Sequence, residues 1–381
     1  MVVSDAATMT TMARIPEDIL HYDIFPWLPC KTISRFKVVC KKWYHLFSHD
    51  EVFARKKLQR ESPISSGMVY RGDKYIDFFP SAIPGELNIG MPDSFFPTLP
   101  DGMTFESIVA FVDGLLLAVL GKESGENPLY HLNYVWDLVT KEGHIIPGNC
   151  FSRDVGLAFD PSATPTRYTL VNIKWKFRGQ IQEFSFDIYS SSTRRWTASG
   201  RKVVIQGTAS LYPMNNICIR NIIYWNSCTH LLWFDLEKDV AGNSRLPPLG
   251  EEGVMYHQNI GVAGDDQGIL TLTRVMSKST INVWAFDEEG EWVKSHTIST
   301  AYFLSRAGPG ALRVFRAFLS KGGDVLYLET QFTTTKRKLL SYNIVTGETT
   351  TISELKSSHR QGPCHYVFLN HNSLIRFKQF G

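Results

Sequence analysis

The sequence lacks the features that mark secreted, membrane-spanning and disulfide-bonded proteins. No apolar run approaches the roughly 20 residues that span a bilayer. The first residues have no basic start followed by an apolar stretch, so we expect no secretory signal. The six cysteines are scattered without a C-x-x-C pair, and no N-x-S/T glycosylation acceptor is present. These absences favour reduced cysteines, a location in the nucleus or cytoplasm, and no membrane partner.

The motifs of common catalytic and nucleotide-binding sites are missing too. The chain contains no G-x-x-x-x-G-K-[ST], G-x-G-x-x-G, G-x-S-x-G or H-E-x-x-H pattern. Ser48-His49-Asp50 has triad residue types, but adjacent residues cannot form a triad, and we expect a turn there. Cys228 and His230 could supply two metal ligands, yet nothing nearby completes a set of four. The sequence therefore predicts no enzyme activity, no metal and no cofactor.

Apolar and aromatic residues are abundant, and the basic charge is unevenly placed. Hydrophobic residues make up 43% of the chain and charged residues 20%, enough to bury a full core. The 24 Phe, 15 Tyr and 9 Trp favour β-strands. Residues 14–60, which we call the N-terminal segment, hold ten Lys/Arg against five acids, which gives +5 and leaves −2 elsewhere of the total +3. Such a basic segment suits nucleic acid or an acidic protein partner.

The N-terminal segment carries helix signals. Pro16 suits the first turn of a helix, and Pro26 predicts its end near residue 24 or 25. From Lys31 a second helical stretch, followed by a last short element, places apolar residues three and four apart. Those of the stretch are Ile33, Phe36, Val39, Cys40, Trp43 and Phe47. Three short helices bury too little apolar surface to fold robustly alone, so we expect another protein to complete their core.

The N-terminal segment resembles the F-box. The string I-P-E-D-I-L begins at Ile15, L-P follows at Leu28, and S-R-F-K-V-V-C-K-K-W runs from Ser34 to Trp43. These match the family's L-P-x-[DE]-[IL]-L start, its L-P corner and its R-x-x-x-V-C-[KR]-x-W end. In that family the segment docks on the small Skp-type adaptor of an SCF (Skp–cullin–F-box) ubiquitin ligase. Carried over by position, the resemblance implies adaptor contacts at Ile15, Pro16, Ile19, Leu20, Leu28, Pro29, Val39, Cys40 and Trp43. The alternative is a helical cap packed on its own protein.

After residue 60 two sequence markers repeat in step. A polar residue after an aromatic one recurs at Asp137, Ser190, Asp235, Asp287 and Asn343, with gaps of 53, 45, 52 and 56 residues. Apolar runs around Leu115, Tyr168, Ile222, Ile269 and Val325 recur with gaps of 53, 54, 47 and 56. A period near 50 residues, with about four short strands per unit, is typical of kelch-like β-propellers.

The propeller is expected to have six blades, although five or seven stay open. Five units are visible, and residues 66–100 could pair with residues 366–368 and 374–377 to build a sixth. With D-G-L-L-L at Asp113, G-L-A-F-D-P at Gly156 and a terminal S-L-I-R-F, the chain is similar to plant F-box-associated and F-box/kelch proteins. The predicted fold is therefore a small all-α F-box of three short helices followed by an all-β propeller. The predicted domains are a disordered N-terminus over 1–13, the F-box over 14–60 and the propeller over 61–381.

The resemblance implies a non-catalytic substrate-recognition subunit of an SCF ubiquitin ligase. The adaptor would link it to the cullin and RING subunits, and the propeller would hold an unidentified target protein for ubiquitination and degradation. An F-box scaffold outside a ligase is one alternative, and a propeller enzyme with a helical leader is another. Such an enzyme would need a cluster of His and acidic residues in its central channel, and the sequence offers no such cluster.

Two further patterns bear on partners. Lys174-Trp175-Lys176-Phe177-Arg178 alternates basic and aromatic residues, as nucleic-acid surfaces do, but an ordinary strand with both rings on one face is the favoured interpretation. We therefore expect no nucleic-acid partner. Target contacts are expected in variable loops on one rim of the propeller. The candidate loops are 121–130, with Gly121 and Gly125, and the segment around Arg306 and Pro309.

Overall fold

The computed structural model divides the chain into two compact units, Met1–Ser62 and Pro63–Gly381. Among the residues that it describes, no helix has the length and apolar character needed to span a bilayer. The predicted disordered N-terminus, residues 1–13, lies outside them. The described residues are 15–28, 30–50, 52–53, 56, 65–71, 76–80, 99, 103–112, 115–124, 127–137, 143–147, 154–160, 167–207, 211–249, 254–264, 268–277, 280–307, 313–320, 322–331, 336–356 and 366–370.

The first helical stretch changes its pitch along its length. Helix α1 spans Glu17–Ile19, a π-helical turn follows over Leu20–Ile24, and a 3₁₀ turn spans Phe25–Trp27. The α- and π-helical part of the stretch therefore ends at Ile24, directly before Phe25, as the sequence predicted. A new 3₁₀ turn starts at Phe25, and proline is tolerated in a first helical turn because its missing N–H has no partner to lose there.

The stretch predicted as one helix from Lys31 is two helices in the structure. Helix α2 spans Cys30–Phe36 and helix α3 spans Lys41–His49. Between them Cys40 has an extended backbone, and its Sγ accepts a hydrogen bond of 3.4 Å from the backbone N–H of Trp43. A side chain that satisfies a first-turn N–H in this way starts a new helix. The single helix predicted across residues 31–47 is therefore wrong.

Aromatic rings form a small core within the first unit. The ring centroid of Phe25 lies 4.9 Å from that of Trp43 and 5.2 Å from that of Phe47, and Phe47 lies 5.2 Å from Phe53. Phe25, Phe47 and Phe53 are buried, as is Ile33 of α2. Edge-on and tilted contacts of this kind stabilise beyond the area they bury. The N-terminal segment therefore forms more of a core within itself than we expected from its length.

Within the part of the second unit that the structure describes, there are five four-stranded antiparallel sheets, each built from four consecutive strands. The first is β3 Met103–Val112, β4 Leu115–Ser124, β5 Asn127–Asp137 and β6 Gly143–Ile146; the second is β7 Val155–Asp160, β8 Arg167–Arg178, β9 Ile181–Ser190 and β10 Arg195–Gln206. The third is β11 Leu211–Ile219, β12 Ile222–Ser227, β13 His230–Asp235 and β14 Val240–Arg245; the fourth is β15 Met255–Ala263, β16 Ile269–Met276, β17 Thr280–Phe286 and β18 Trp292–Ser299. The fifth is β19 Arg313–Leu319, β20 Val325–Gln331, β21 Lys336–Asn343 and β22 Thr349–Lys356, preceded by helix α4 Thr300–Ala307.

The two sequence markers fall at the same place in every sheet. Leu115, Ile222, Ile269 and Val325 each begin the second strand of a sheet, and Tyr168 is the second residue of β8. The polar marker ends the third strand in four sheets and follows it directly in the fourth sheet, at Asp287. The repeat of about 50 residues with four strands per unit is therefore confirmed.

Successive sheets pack face to face through apolar clusters. One cluster joins Leu117 and Val135 of the first sheet to Leu157 and Leu170 of the second. Similar clusters join the second sheet to the third, the third to the fourth and the fourth to the fifth. The first strands also lie side by side, β3 next to β7 and so on to β19. The described residues thus form a β-propeller with five four-stranded blades, and each core lies between neighbouring blades.

Strands from the two ends of the second unit form a further sheet of three strands. Its order is β2–β1–β23, with β1 at Ser65–Arg71, β2 at Ile76–Pro80 and β23 at Tyr366–Asn370. Val69 lies opposite Val367, and β23 lies beside β3 of the first blade. Of the predicted pairing of residues 66–100 with residues 366–368, the part between β1 and β23 is thus present, while residues 81–98 and 374–377 lie outside the described residues. The complete sixth blade stays a prediction.

Candidate functional site

The N-terminal segment exposes several large apolar side chains despite its aromatic core. Val38 and Val39 lie in the turn between α2 and α3, and Trp27 ends the 3₁₀ turn. Folded proteins expose scattered apolar residues, but a concentration on so small a unit makes it a candidate protein-binding surface. We call these side chains the exposed apolar set: Ile15, Ile19, Ile24, Trp27, Val38, Val39, Tyr44 and Val52.

The structure places the nine predicted adaptor contacts in three ways. Leu20, Leu28 and Trp43 are half-buried, and Pro29 lies outside the described residues. The other five, all exposed, are Ile15, Pro16, Ile19, Val39 and Cys40. The three half-buried residues can offer only part of their surface to a partner, since the rest already packs on the segment itself.

The motif carried over from the F-box missed five exposed residues. Ile24, Trp27, Val38, Tyr44 and Val52 belong to the exposed apolar set but not to the nine predicted contacts. The sequence held one usable signal: Val38 and Val39 are adjacent, and neighbouring residues in a turn cannot both face one small core. The candidate surface is therefore broader than the motif.

Polar contacts link the helices of the N-terminal segment. Lys42 of α3 forms an ion pair with Glu17 of α1, and its hydrogen bond lowers the pKa of the Glu17 carboxyl. The Tyr22 hydroxyl donates to Asp50 Oδ2 at 2.9 Å, a bond that raises the pKa of Tyr22. Ion pairs this exposed add little stability. Their effect is to orient the helices that carry the exposed apolar set.

The Ser48-His49-Asp50 string has a structural role. Ser48 and His49 complete α3, so the turn predicted there begins only at Asp50. Asp50 Oδ1 accepts a hydrogen bond of 2.8 Å from the backbone N–H of Phe53, while its other oxygen binds Tyr22. Both carboxylate oxygens are thereby occupied in holding the segment together.

The marker carboxylates and amides of the blades form turns. Asp235 Oδ1 accepts hydrogen bonds of 3.0 Å from the backbone N–H groups of Glu237 and Lys238. Asn343 Oδ1 accepts from Val345 and Thr346 at 2.9 and 2.8 Å in the same way. A side-chain oxygen that binds the backbone two and three residues on is the usual stabiliser of a turn. The recurrence of these residues reflects blade architecture.

The Cys228 and His230 pair shows no completed ligand set. His230 Nδ1 lies 2.8 Å from Thr229 Oγ1, and burial lowers the pKa of its imidazole. Within the described ranges, no three His, Cys, Asp or Glu side chains are grouped so as to hold a metal ion.

The segments predicted as target-binding loops are partly strand and helix in the structure. Gly121 is buried within β4, which continues to Ser124, and β5 starts at Asn127, so most of the predicted loop 121–130 is a strand hairpin. The spacing of the markers records extra residues but does not distinguish a longer loop from longer strands. Gly125 and Pro309 lie outside the described residues. Arg306 lies in α4, so the segment around it is helical up to Ala307.

The basic and aromatic string at residues 174–178 is a strand, as predicted. It ends β8, and the rings of Trp175 and Phe177 lie on one face with centroids 5.1 Å apart. Both rings are exposed, although strand residues further back on that face, such as Ile173, are buried. Sequence alternation predicted the shared face but not the exposure.

A buried ion-pair cluster in the fifth blade has no counterpart in the sequence predictions. Glu329 of β20 is fully buried, and its Oε1 lies 2.7 Å from Arg337 Nη1, while its Oε2 lies 3.9 Å from Arg316 Nε. Nearby, burial and the charge of Arg316 lower the pKa of His257 to about 3. The carboxylate is enclosed by two guanidinium groups, an arrangement typical of a structural ion pair.

Comparisons with known proteins find two similar plant proteins. No protein-family model matches the chain. An F-box protein of Arabidopsis thaliana is 26% identical over 308 residues, which cover 74% of this chain and 69% of that protein. A putative F-box/kelch-repeat protein of the same plant is 33% identical over 224 residues, covering 57% of this chain and about half, 53%, of that protein. Among solved structures, the periplasmic gluconolactonase of Pseudomonas aeruginosa aligns with a TM-score of 0.37 at 9% identity, over 79% of this chain and 98% of that one.

Proposed function

We propose that this chain, a relative of plant F-box proteins, is the substrate-recognition subunit of an SCF ubiquitin ligase. The N-terminal segment binds a Skp-type adaptor, and through it the cullin and RING subunits. The propeller binds a target protein and presents it for ubiquitination and degradation. The names of the two Arabidopsis relatives, F-box and F-box/kelch-repeat, support this assignment.

One observation carries the proposal: the F-box-like string coincides with an exposed apolar surface. Ile15, Ile19 and Val39 belong both to the motif and to the exposed apolar set. Their side chains would gain from a partner, because each leaves apolar area in water. The net charge of +5 on the segment would steer it toward an acidic adaptor.

The chain contributes proximity to the reaction. With one unit on the ligase and the other on the target, a target lysine is held close to the ubiquitin-conjugating enzyme. Holding two reactants together in this way raises their effective concentration without any catalytic group on the receptor. The protein acts in the nucleus or cytoplasm, where such ligases meet their targets.

Adaptor binding is tested with matched valine variants of the full chain. Val39 in the N-terminal segment and Val293 in β18 are similarly exposed, at 59% and 53%. Val39→Asp should abolish co-purification with a Skp-type adaptor, and Val293→Asp should leave it intact. A Leu28→Asp, Pro29→Ala double variant should behave like Val39→Asp. Equal adaptor recovery from all variants would refute the docking surface.

Target degradation separates the ligase from a scaffold. Affinity purification with the proteasome inhibited identifies proteins that accumulate on the wild-type chain but not on Val39→Asp. The half-life of such a protein should lengthen when the wild-type chain is replaced by Val39→Asp. An unchanged half-life, with adaptor binding intact in the wild type, would favour a scaffold.

We also propose that the three-stranded sheet is the sixth blade and closes the ring. Its strands β1 and β23 come from opposite ends of the second unit, and β23 lies beside β3 of the first blade. Closure of this kind removes exposed strand edges. Truncation after residue 365 deletes β23 and should lower the urea midpoint of the propeller. An unchanged midpoint would contradict closure by this strand.

A further inference from the structure

The β8–β9 hairpin of the second blade ends in an exposed aromatic pair. The two strands pair in register out to Arg178 opposite Ile181, and Gly179 takes a positive φ of 64° in the turn. We call residues 174–183 the hairpin tip. Trp175 is 47% exposed and Phe177 is 53% exposed, and their rings contact each other at 73°.

These rings continue a face that is otherwise buried. Trp175 lies opposite Phe184, which in turn lies opposite Val203 of β10. Phe184, Val203 and Ile173 all belong to the apolar cluster between the second and third blades. The same face therefore passes from a closed core to solvent within a few residues of β8. Two adjacent exposed aromatic rings at the end of a buried face form a ready apolar contact.

The surroundings of the tip are basic. Residues 174–187 and 201–206, the strand ends near the tip, hold five Lys/Arg against two acids, a net charge of +3. Part of that charge is neutralised, since Lys174 pairs with Asp187, Lys202 with Glu183 and Arg201 with Asp239.

Two of the basic residues at the tip retain their charge for a partner. Lys176 and Arg178 are exposed and form no ion pair with any described residue. The hydrogen bond from Lys202 lowers the pKa of the Glu183 carboxyl, and the charges of Lys176 and Arg178 lower it further. The local potential is therefore positive. An anionic partner is therefore favoured at this end of the blade.

The geometry favours a protein segment over a nucleic acid. Successive bases stack on ring faces, but the T-shaped contact of Trp175 and Phe177 does not present two parallel platforms. Of the basic residues at the tip, Lys176 and Arg178 are the two without an ion-pair partner among the described residues, since Lys174 and Lys202 pair with Asp187 and Glu183. Two such charges are few for a continuous phosphate backbone but sufficient for single carboxylates of an acidic polypeptide.

We propose that the hairpin tip is the surface that docks the target, through an acidic segment in which apolar side chains alternate with carboxylates. This inference rests on the proposed function as a substrate receptor. The apolar side chains of the segment pack on Trp175 and Phe177. Its carboxylates bind Lys176 and Arg178 on the other face, since no described strand pairs with the β7 side of β8 beyond Asn172 and long basic side chains can reach around that edge.

The test uses the full chain co-purified with a Skp-type adaptor. The probe is a short fluorescein-labelled peptide that alternates Asp with Leu, and fluorescence anisotropy measures its affinity. Trp175→Ser with Phe177→Ser removes the rings, and Lys176→Glu with Arg178→Glu reverses the charges. Their controls change exposed residues away from the tip: Val293→Ser with Val345→Ser, and Arg195→Glu with Arg245→Glu.

Each tip variant should bind the peptide about tenfold or more weakly, the loss typical of removing a central contact, and each control should match the wild type. Two control peptides test the chemistry of the ligand, one alternating Asp with Ser and the other alternating Lys with Leu. The wild-type chain should bind each of them as weakly as the tip variants bind the Asp–Leu peptide. Thermal melting checks that every variant folds.

Several results would overturn the inference. These are no peptide binding by the wild type, equal losses in tip and control variants, or tip-dependent preference for an oligothymidylate of matched length. Self-association of the wild type that the ring variant abolishes, seen by sedimentation, would assign the tip to a second copy of the chain instead. Adaptor co-purification is scored on the same samples. Its absence in the wild type would refute the proposed function, whereas its presence without peptide binding would refute only the docking surface.

Discussion

Trp43 packs edge-on against Phe25, with ring centroids 4.9 Å apart and ring planes at 82°. Trp43 is also 5.3 Å from Phe36. The residue predicted to contact an adaptor is therefore first a member of the aromatic core that joins α3 to the preceding helical turns. Only the exposed part of the Trp43 side chain is available to a partner.

Substitutions at Trp43 and Val39 should therefore have different effects on stability and on adaptor binding. Trp43→Ala should destabilise the N-terminal segment by about 2 kcal/mol, less than a fully buried indole would lose, because part of the ring is exposed. Val39→Ser should leave stability within about 0.5 kcal/mol and weaken adaptor binding about tenfold. Hydrogen exchange of the α3 amides in the full chain measures stability, and titration with the adaptor measures affinity. Full α3 protection in Trp43→Ala would contradict the core assignment.

The repeats were predictable because they depend on local chemistry. A polar residue such as Asp235 or Asn343 must follow the third strand wherever its side chain forms the turn, so the spacing of these residues records the blades directly. The same locality explains the success at Trp175 and Phe177, where alternation alone places two rings on one face.

The features that were predicted wrongly or not at all are ones that local sequence patterns do not reveal. The apolar spacing of Phe36, Val39 and Trp43 continues smoothly across the break between α2 and α3, and only the extended backbone and cap of Cys40 reveal it. Glu329 is a carboxylate in a strand, a pattern typical of a solvent-facing position. Its burial depends on guanidinium groups from two neighbouring strands, and strand register across a blade cannot be derived from a single sequence.

Glu329 should be essential to the stability of the fifth blade. Glu329→Gln leaves Arg337 and Arg316 largely buried without their counter-charge, which should destabilise the propeller by about 3 kcal/mol. Glu354 offers a matched control, since it pairs with Lys338 at 3.7 Å but is mostly exposed. Glu354→Gln should cost less than about 0.5 kcal/mol. Urea unfolding followed by tryptophan fluorescence compares the two, and equal midpoints would contradict the buried pair.

His257 should make the propeller sensitive to mild acid. Its pKa is about 3 in the folded chain, against an ordinary value of 6.5, because burial and the nearby Arg316 oppose its charge. Below pH 6.5 the unfolded chain therefore takes up a proton that the folded chain does not. Stability is complete above pH 6.5 and should fall by about 1.4 kcal/mol per pH unit below it, toward pH 3.

Comparing the wild type with a variant that lacks His257 isolates the contribution of this residue to the pH dependence of stability. His257→Leu removes the titrating group, so between pH 6.5 and pH 5 its unfolding free energy should decline by about 2 kcal/mol less than that of the wild type. Val293→Ser, an exposed substitution of a side chain that does not titrate, should retain the wild-type slope. Parallel slopes for the wild type and His257→Leu, measured by urea unfolding across this range, would show that His257 is not buried neutral.

Gly156 sets the distance between the second and third blades. A Cβ on this residue of β7 would lie 2.4 Å from Ile223 Cγ2 and 2.8 Å from Trp225 Cζ2. Both neighbours are buried in the cluster between the two blades and have no room to retreat. Gly156→Ala should therefore destabilise the propeller by about 1–3 kcal/mol through overpacking.

A double-mutant cycle identifies the cause. Ile223→Ala removes the atom nearest the new methyl group, so adding Gly156→Ala to it should cost much less than in the wild type, with a coupling of about 1 kcal/mol or more. Gly261→Ala is the matched control, because its nearest neighbour is the Thr271 hydroxyl at 3.2 Å. Its cost should be smaller, since the hydroxyl needs to move only a few tenths of an ångström. Additive losses in the cycle would mean that Gly156 is required for backbone reasons and that blade spacing is set elsewhere.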